Sequence, residues 1–254
     1  MNRIFSGFVA AALVSFAGAA HAADIPARMP VKATPNQVVA YNWGGFYTAS
    51  TLGGGWQNID GHSTVVGSRH NTDGTRAWMG SVVGLQGQWG NWVLGVEGSY
   101  TAPLSNKFDS SIGGTADCTF AGAAGACNSR INRIWTGGAK VGYAFGNWMV
   151  YGAGGYAGGR IEENTTLNGQ VGSLSKANHN GWYAGAGFDW FVTRIWYSDL
   201  ILGLEYRHIE LSDKLHNDLV SPTNNKTFGG DIDMIMAKAT FKWVGAGPLT
   251  PFVK

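Results

Sequence analysis

From Gly44 onward, apolar and polar positions alternate with a period of two in eight stretches: about 44–57, 76–89, 92–102, 131–145, 148–161, 180–192, 198–211 and 231–243. A period of two puts successive side chains on opposite faces of a strand, so each stretch predicts a β-strand with one apolar face. In 198–211, Leu200, Leu202, Leu204 and Tyr206 share one face, and Gly203, Glu205 and Arg207 share the other. In 180–192 the apolar face carries Trp182, Ala184, Ala186, Phe188 and Trp190, opposite Tyr183, Gly185, Gly187 and Asp189. In 231–243, Ile235, Ala237, Ala239, Phe241 and Trp243 oppose Lys238 and Lys242, and in 76–89 Leu85 and Trp89 oppose Gln86 and Gln88.

The connections alternate in length. Residues 90–91, 146–147 and 193–197 are short, whereas 58–75, 103–130, 162–179 and 212–229 are long and polar. Gly90-Asn91 and Gly146-Asn147 stand in matching contexts, Trp89-Gly-Asn-Trp92 and Phe145-Gly-Asn-Trp148, and glycine at the first central position suits a type II′ hairpin turn. Each stretch exceeds the 9–11 tilted residues that cross a bilayer, and turns that are short at one end and long at the other are the pattern of a membrane barrel. The expected fold is therefore all-β: an eight-stranded antiparallel up-and-down transmembrane barrel with short periplasmic turns and long extracellular loops. After the N-terminal segment no run of about 18 apolar residues offers a membrane helix. A soluble β-sandwich would use the same alternation but has no reason to order its loops by length.

Aromatic placement supports the membrane reading. Trp89, Trp92, Tyr143, Phe145, Trp148, Trp190 and Trp243 fall near the turn end of their strands, where an interfacial girdle sits. The N-terminus supplies the compartment. Arg3, an apolar stretch from Ile4 to Ala20, and Ala20-His21-Ala22 read as a signal peptide over residues 1–22, cleaved after Ala22, and the stretch is short and glycine- and serine-interrupted for an anchor. Residues 23–43, with Pro26, Pro30 and Pro35, read as a periplasmic leader, with a plug folded back into the barrel as the alternative; 44–243 are the barrel and 244–254 a tail.

Composition sharpens this in three ways. Thirty-nine glycines, 32 aromatic residues (Trp 11, Tyr 9, Phe 12) and 13% charged residues favour pleated surfaces over helices. The formal charge of +2, or +1 once Arg3 is removed with the signal, provides no field to attract nucleic acid. Cys118 and Cys127, the only cysteines, lie in one outer loop of an exported chain and predict a loop-pinning disulfide, with free thiols as the alternative and too few ligands for zinc.

Candidate chemistry is sparse. Glu97, Lys140, Asp189, Glu205, Arg207, Lys238 and Lys242 face the lumen and are nearly balanced in sign, which predicts a structural ion-pair network, because eight strands enclose only enough space for side chains. A narrow ion path is the competing reading. Asp231, Asp233, His208 and Glu210 approach the outer rim, but parity turns Asp231, Asp233 and His208 outward and no orienting group accompanies them, so no catalytic residue is assigned. Arg133 and Arg160 face outward near the outer ends of neighbouring strands, where guanidinium groups would meet lipopolysaccharide phosphates. Gly152-Ala153-Gly154-Gly155-Tyr156-Ala157 only superficially fits a dinucleotide fingerprint, since no helix follows, and the pairs His62/His70 and His208/His216 lack metal-ligand spacing. No cofactor or metal is expected.

Several of these segments resemble a known family. They are Ala22-Ala23-Asp24-Ile25-Pro26, Tyr41-Asn42-Trp43-Gly44-Gly45-Phe46-Tyr47, Gly84-x-x-Gly87-x-x-x-Asn91-Trp92, Val141-Gly142-Tyr143 leading into Asn147-Trp148, and Gly203-Leu204-Glu205-Tyr206-Arg207. The chain is similar over its whole mature length to the small surface-exposed outer-membrane β-barrel proteins of alpha-proteobacteria, known from rhizobia and brucellae. The resemblance implies an eight-stranded barrel in the outer membrane, assembled by the barrel-assembly machinery, with roles in envelope integrity and in surface or host contact through its loops, and no enzymatic activity. A low-conductance porin and a lipid- or peptide-modifying enzyme are the alternatives. One departure is the continuation past Trp243 to Lys254, through Pro248 and Pro251, where family barrels end on a terminal aromatic. Either Phe241 and Trp243 or Phe252 then carries that signal.

Overall fold

The computed structural model describes residues 41–63, 69–105, 107, 109–110, 119–120, 123–124, 126–167, 170–216 and 226–243. In chain order the strands are β1 (Gly45–Ser63), β2 (Arg69–Trp89), β3 (Trp92–Pro103), the two-residue pieces β4 (Asp109–Ser110), β5 (Thr119–Phe120) and β6 (Ala123–Ala124), then β7 (Ala126–Phe145), β8 (Trp148–Leu167), β9 (Gln170–Ile195), β10 (Ser198–His216) and β11 (Lys226–Trp243). The eight long strands pair antiparallel in the order β3-β2-β1-β11-β10-β9-β8-β7, and β3 pairs with β7 to close the ring. Every long strand thus has two partners, and the sheet leaves no open edge.

The periplasmic turns follow the expected chemistry at two sites and depart from it at the third. Gly90 and Gly146 hold φ of +59° and +64°, and the asparagine after each does not share the positive φ, which is the II′ arrangement. Between β9 and β10 the expected five-residue connection shrinks to two, Trp196-Tyr197, with Trp196 held at φ +53° without being glycine.

Three of the four expected long loops are largely wall. β1 runs to Ser63 and β2 starts at Arg69; β8 runs to Leu167 and β9 starts at Gln170; β10 runs to His216 and β11 starts at Lys226. The pattern there inverts. Inside the membrane zone the outward face is apolar, whereas above it Ile59, Ile161, Ile209, Leu211, Phe228 and Ile232 point inward and are buried while Asp60, Glu210 and Asp231 point outward. A search for apolar outward faces ends where the outward solvent changes from lipid to water, although the sheet continues. The β3–β7 connection is the one that remains long, carrying only the two-residue pieces β4 to β6 among its described residues. Cys127 is the second residue of β7, and the Cys118 half of the expected bridge lies outside the described residues, as do 1–40 and 244–254.

Candidate functional site: a filled lumen and a basic outer rim

The lumen is filled in three layers. The floor is built by Tyr41 and Trp43, which precede β1 and belong to the barrel mouth rather than to a free leader. Trp43 is fully buried; its backbone N–H donates to Gln88 Oε1 (2.7 Å), its carbonyl accepts from Gln86 Nε2 (2.6 Å), and its indole N–H donates to the Gly146 carbonyl (3.2 Å). Gln86 and Gln88, assigned inward by parity, are thus the residues that grip the floor. Tyr41 stacks on Phe191 at 4.2 Å and donates its hydroxyl hydrogen to Asp199 Oδ2 (2.8 Å). Asp199 also accepts from Arg194 Nε (2.7 Å) and lies 3.3 Å from Lys242 Nζ, which donates to the Asn42 carbonyl. Lys242 therefore belongs to this mouth cluster and not to the central network in which the sequence placed it. Asp199 shares the inward parity of Gly203, Glu205 and Arg207, so its signal was present; the bulge nearby, at Val192, lies on β9 and leaves the alternation of β10 unbroken.

The central layer gathers the remaining six expected charges, three of each sign. Arg207 donates from Nε to Glu205 Oε1 (2.8 Å), from Nη2 to the same carboxylate, and from Nη1 to Ser99 Oγ (2.8 Å) and Thr136 Oγ1 (3.2 Å), with Glu97 3.7 Å away. Lys238 Nζ lies 3.0 Å from Asp189 Oδ1 and 3.7 Å from Glu205 Oε2; Lys140 Nζ lies 3.8 Å from Glu97 Oε2. Tyrosines that the sequence reading did not include complete the layer. Tyr47 and Tyr151 donate to Glu97 and Glu205 at 2.8 Å each, Lys140 sits over both rings (4.5 and 4.8 Å to the centroids), and Arg207 sits over Tyr183 (5.1 Å). Their signal was present, since all three share the inward parity of the charges.

Above the charges lies an apolar layer that a purely polar interior would not contain: Ile59, Trp78, Ile131, Ile134, Ile161, Ile209, Leu211, Phe228, Ile232, Met234 and Met236 are buried together. Over it, inside the rim, His179 Nε2 and His216 Nε2 lie 2.7 Å apart, His179 Nδ1 donates to the Ser212 carbonyl (2.9 Å), and Ser175 Oγ lies 3.0 Å from His216 Nδ1. Glu163, 3.1 Å from the same hydroxyl, accepts from Lys226 at 2.6 Å. Burial lowers both imidazole pKa values, and His179, Lys214 and Lys226 help push His216 down to about 3.

On the outside, Trp89, Trp92, Phe145, Trp148, Trp190 and Trp243 are exposed at the turn end, with Tyr143 half-buried among them; Trp148 stacks on Trp190 at 5.3 Å and Trp92 meets Tyr143 edge-on at 5.3 Å. A second exposed band follows eight residues further along four strands: Tyr100 after Trp92, Trp135 before Tyr143, Tyr156 after Trp148 and Trp182 before Trp190. Eight residues span about 26 Å of strand, matching an apolar band roughly 25 Å tall once tilt is allowed for. The sequence reading found only the lower band; the recurring i, i+8 spacing was the signal for the upper one.

Just above the upper band, Arg133 and Arg160 are direct register partners on β7 and β8, both on the outward face and half-buried. His208, Asp233 and Tyr206 also meet outward, with His208 Nδ1 2.9 Å and Tyr206 Oη 2.5 Å from Asp233 Oδ1. Asp231 lies in register with Glu210, and no serine, threonine or cysteine is recorded bonded to this outward group among the described residues.

Residues 8–230 match the outer membrane protein beta-barrel domain family. The 25 kDa outer-membrane immunogenic protein of Brucella canis is 33% identical, over 88% of this chain and 92% of that one, and the namesake of Brucella ovis is 33% identical over 82% and 89%. Among solved structures, the outer-membrane protease OmpT of Escherichia coli shares 9% identity over 78% of this chain and 97% of that one, with a TM-score of 0.45. With the closed antiparallel ring and a match across most of its length, the chain belongs to the outer membrane protein beta-barrel domain family.

Proposed function

We propose that the protein acts as a sealed, non-catalytic barrel of the outer membrane whose wall supports the envelope and whose outer end serves as a surface for host or environmental contact. One observation carries this reading: from the Tyr41–Trp43 floor through the ion-pair layer to the isoleucine-rich layer, buried side chains fill the lumen. A water path would have to cross an apolar layer and separate paired buried charges, both costly. The name of the Brucella relatives, outer-membrane immunogenic protein, supports surface display. Export with cleavage after Ala22, and recognition of outward Phe241 and Trp243 by the assembly machinery, complete the proposal.

Planar-bilayer recording tests it directly: no stable unit current is expected, and reproducible single-channel steps would overturn the sealed reading in favour of a low-conductance pore. For the envelope role, deletion should raise sensitivity to large hydrophobic antibiotics and the intact gene should restore resistance; unchanged sensitivity would remove that part.

A further inference from the structure

Among the described residues, the outward face of β7–β9 gathers several cations around a single carboxylate. Parity alone would send residues 130 and 133 to opposite faces. The register slips between Ile131 and Arg133, leaving Asn132 in a bulge, so Arg130, opposite Glu162, and Arg133, opposite Arg160, both point outward while Ile131 and Ile134 stay buried inside. A bulge of this kind re-aims a side chain, and here it concentrates positive charge.

Glu162 is the only carboxylate among the outward residues that share these two register rows, and it is already engaged. Arg130 donates to it from Nε (3.0 Å) and Nη2 (2.7 Å), Asn132 donates from Nδ2 (2.7 Å), and Arg160 Nε stands 3.6 Å away. Arg133 has no hydrogen bond or ion pair among the described residues, nor has Lys176, the register partner of Glu162 on β9. Among the described residues of these rows, Arg133, Arg160 and Lys176 stand beside the single Arg130–Glu162 pair, with two guanidinium groups directly opposite each other, an arrangement that costs energy unless an anion lies between them. The cluster is two register rows tall and three strands wide, about 7 by 10 Å. Its lower row sits one outward position above Trp135, at the level of lipid headgroups.

We propose that Arg133, Arg160 and Lys176, braced by the Arg130–Glu162 pair, form a binding site for the phosphate of a lipid headgroup in the outer leaflet, the anion that lipopolysaccharide presents there. Guanidinium groups bind phosphate through paired N–H donors, and the aromatic ledge of Trp135, Tyr156 and Trp182 positions the acyl part below. This goes beyond the sealed-wall reading and does not depend on whether the lumen conducts.

The test is native mass spectrometry of the full barrel in detergent with bisphosphorylated lipid A, dephosphorylated lipid A or inorganic phosphate. The wild type should retain lipid A, and R133Q/R160Q/K176Q should lose affinity by at least about tenfold, toward a hundredfold if each cation contributes what a basic residue does beside anionic lipid. Lys107→Gln, in the outer connection after β3, should change nothing. Equal retention by the triple variant, or equal retention of dephosphorylated lipid A, overturns the proposal; inorganic phosphate binding as well as lipid A does would assign the site to a soluble anion and overturn the lipid source. Folding is read from heat-modifiable migration, and should the triple variant not fold, Arg133→Gln and Lys176→Gln singly should each weaken retention about fivefold, with no change in either overturning the site.

Discussion

Tyr47 lies across Gly84, its register partner on the neighbouring strand, and from there donates its hydroxyl hydrogen to Glu97 on the next strand over. A Cβ at position 84 would collide with Cζ and the hydroxyl oxygen of the ring, so the glycine is a space requirement and not a matter of backbone freedom. Tyr151 stands in the same relation to Gly187 on β9 and donates to Glu205. Gly84→Ala or Gly187→Ala should therefore displace a tyrosine from the ion-pair layer and cost about 1–3 kcal/mol, the range for overpacking a filled core. Urea midpoints of the detergent-folded barrel measure this, and Gly54→Ala, where nothing stands within 4 Å of the added methyl, is the neutral control. Equal midpoints for all three would show that the tyrosines are not seated on these glycines.

Arg207 is the hinge of the charged layer, being 1% exposed and shared between Glu205 and Glu97. Arg207→Met removes the cation and leaves two buried carboxylates facing each other, a loss of about 3–5 kcal/mol. Replacing Glu205 with Gln in the same chain should recover part of that loss, because one uncompensated charge disappears. A double variant as unstable as the single one would mean that Arg207 acts through packing on Tyr183 instead.

The histidine pair predicts an acid-sensitive outer end. Burial, with Lys214, Lys226 and the other imidazole, holds the His216 pKa near 3, and burial with Lys214 lowers that of His179 despite its bond to the Ser212 carbonyl and the nearby Asp213, against about 6.5 in an unfolded chain. Between those values the unfolded state binds protons that the native state refuses, so stability is constant above about pH 6.5 and falls as pH drops toward 3. At pH 4 the loss from His216 should be on the order of 3 kcal/mol relative to pH 7. His216→Phe, set against Phe228 in the apolar layer, should flatten this slope in pH-dependent melting; an unchanged slope would place the acid sensitivity elsewhere.

How far the sequence revealed the molecule depended on what lay outside each strand. Where the outward neighbour is lipid, apolar positions such as Leu202, Leu204 and Ile235 mark the strands, and all seven lumen charges lie buried inside, although Lys242 joins the mouth cluster and not the central layer. Beyond the bilayer Ile209, Leu211 and Phe228 turn inward and the same rule reads wall as loop. A single-residue slip defeated it locally: the bulge at Asn132 hid Arg130 as the outward companion of Arg133, whereas Asp199 stood on the inward parity of Glu205 and Arg207 and could have been found. Lys176 and Glu162 lay in a stretch that polarity alone assigned to a loop, so no pattern in the sequence could assemble the basic cluster before the strands were in register.

The three periplasmic turns make opposite predictions from one backbone requirement. Gly90 and Gly146 occupy φ near +60°, as Trp196 does at +53°, but only glycine reaches that region without strain between Cβ and the carbonyl that follows. Gly90→Ala and Gly146→Ala should each destabilise by about 1 kcal/mol, and neither alanine would meet a neighbouring atom, so the loss is conformational. Trp196 is 91% exposed and is recorded in no ring contact among the described residues, so Trp196→Gly gives up little packing and relieves the same strain, for a gain of up to about 1 kcal/mol. Measured as urea midpoints in detergent micelles, the two glycine variants should move down and the tryptophan variant up. A loss on Trp196→Gly would instead show that the indole anchors the turn at the interface more strongly than its backbone resists the left-handed conformation.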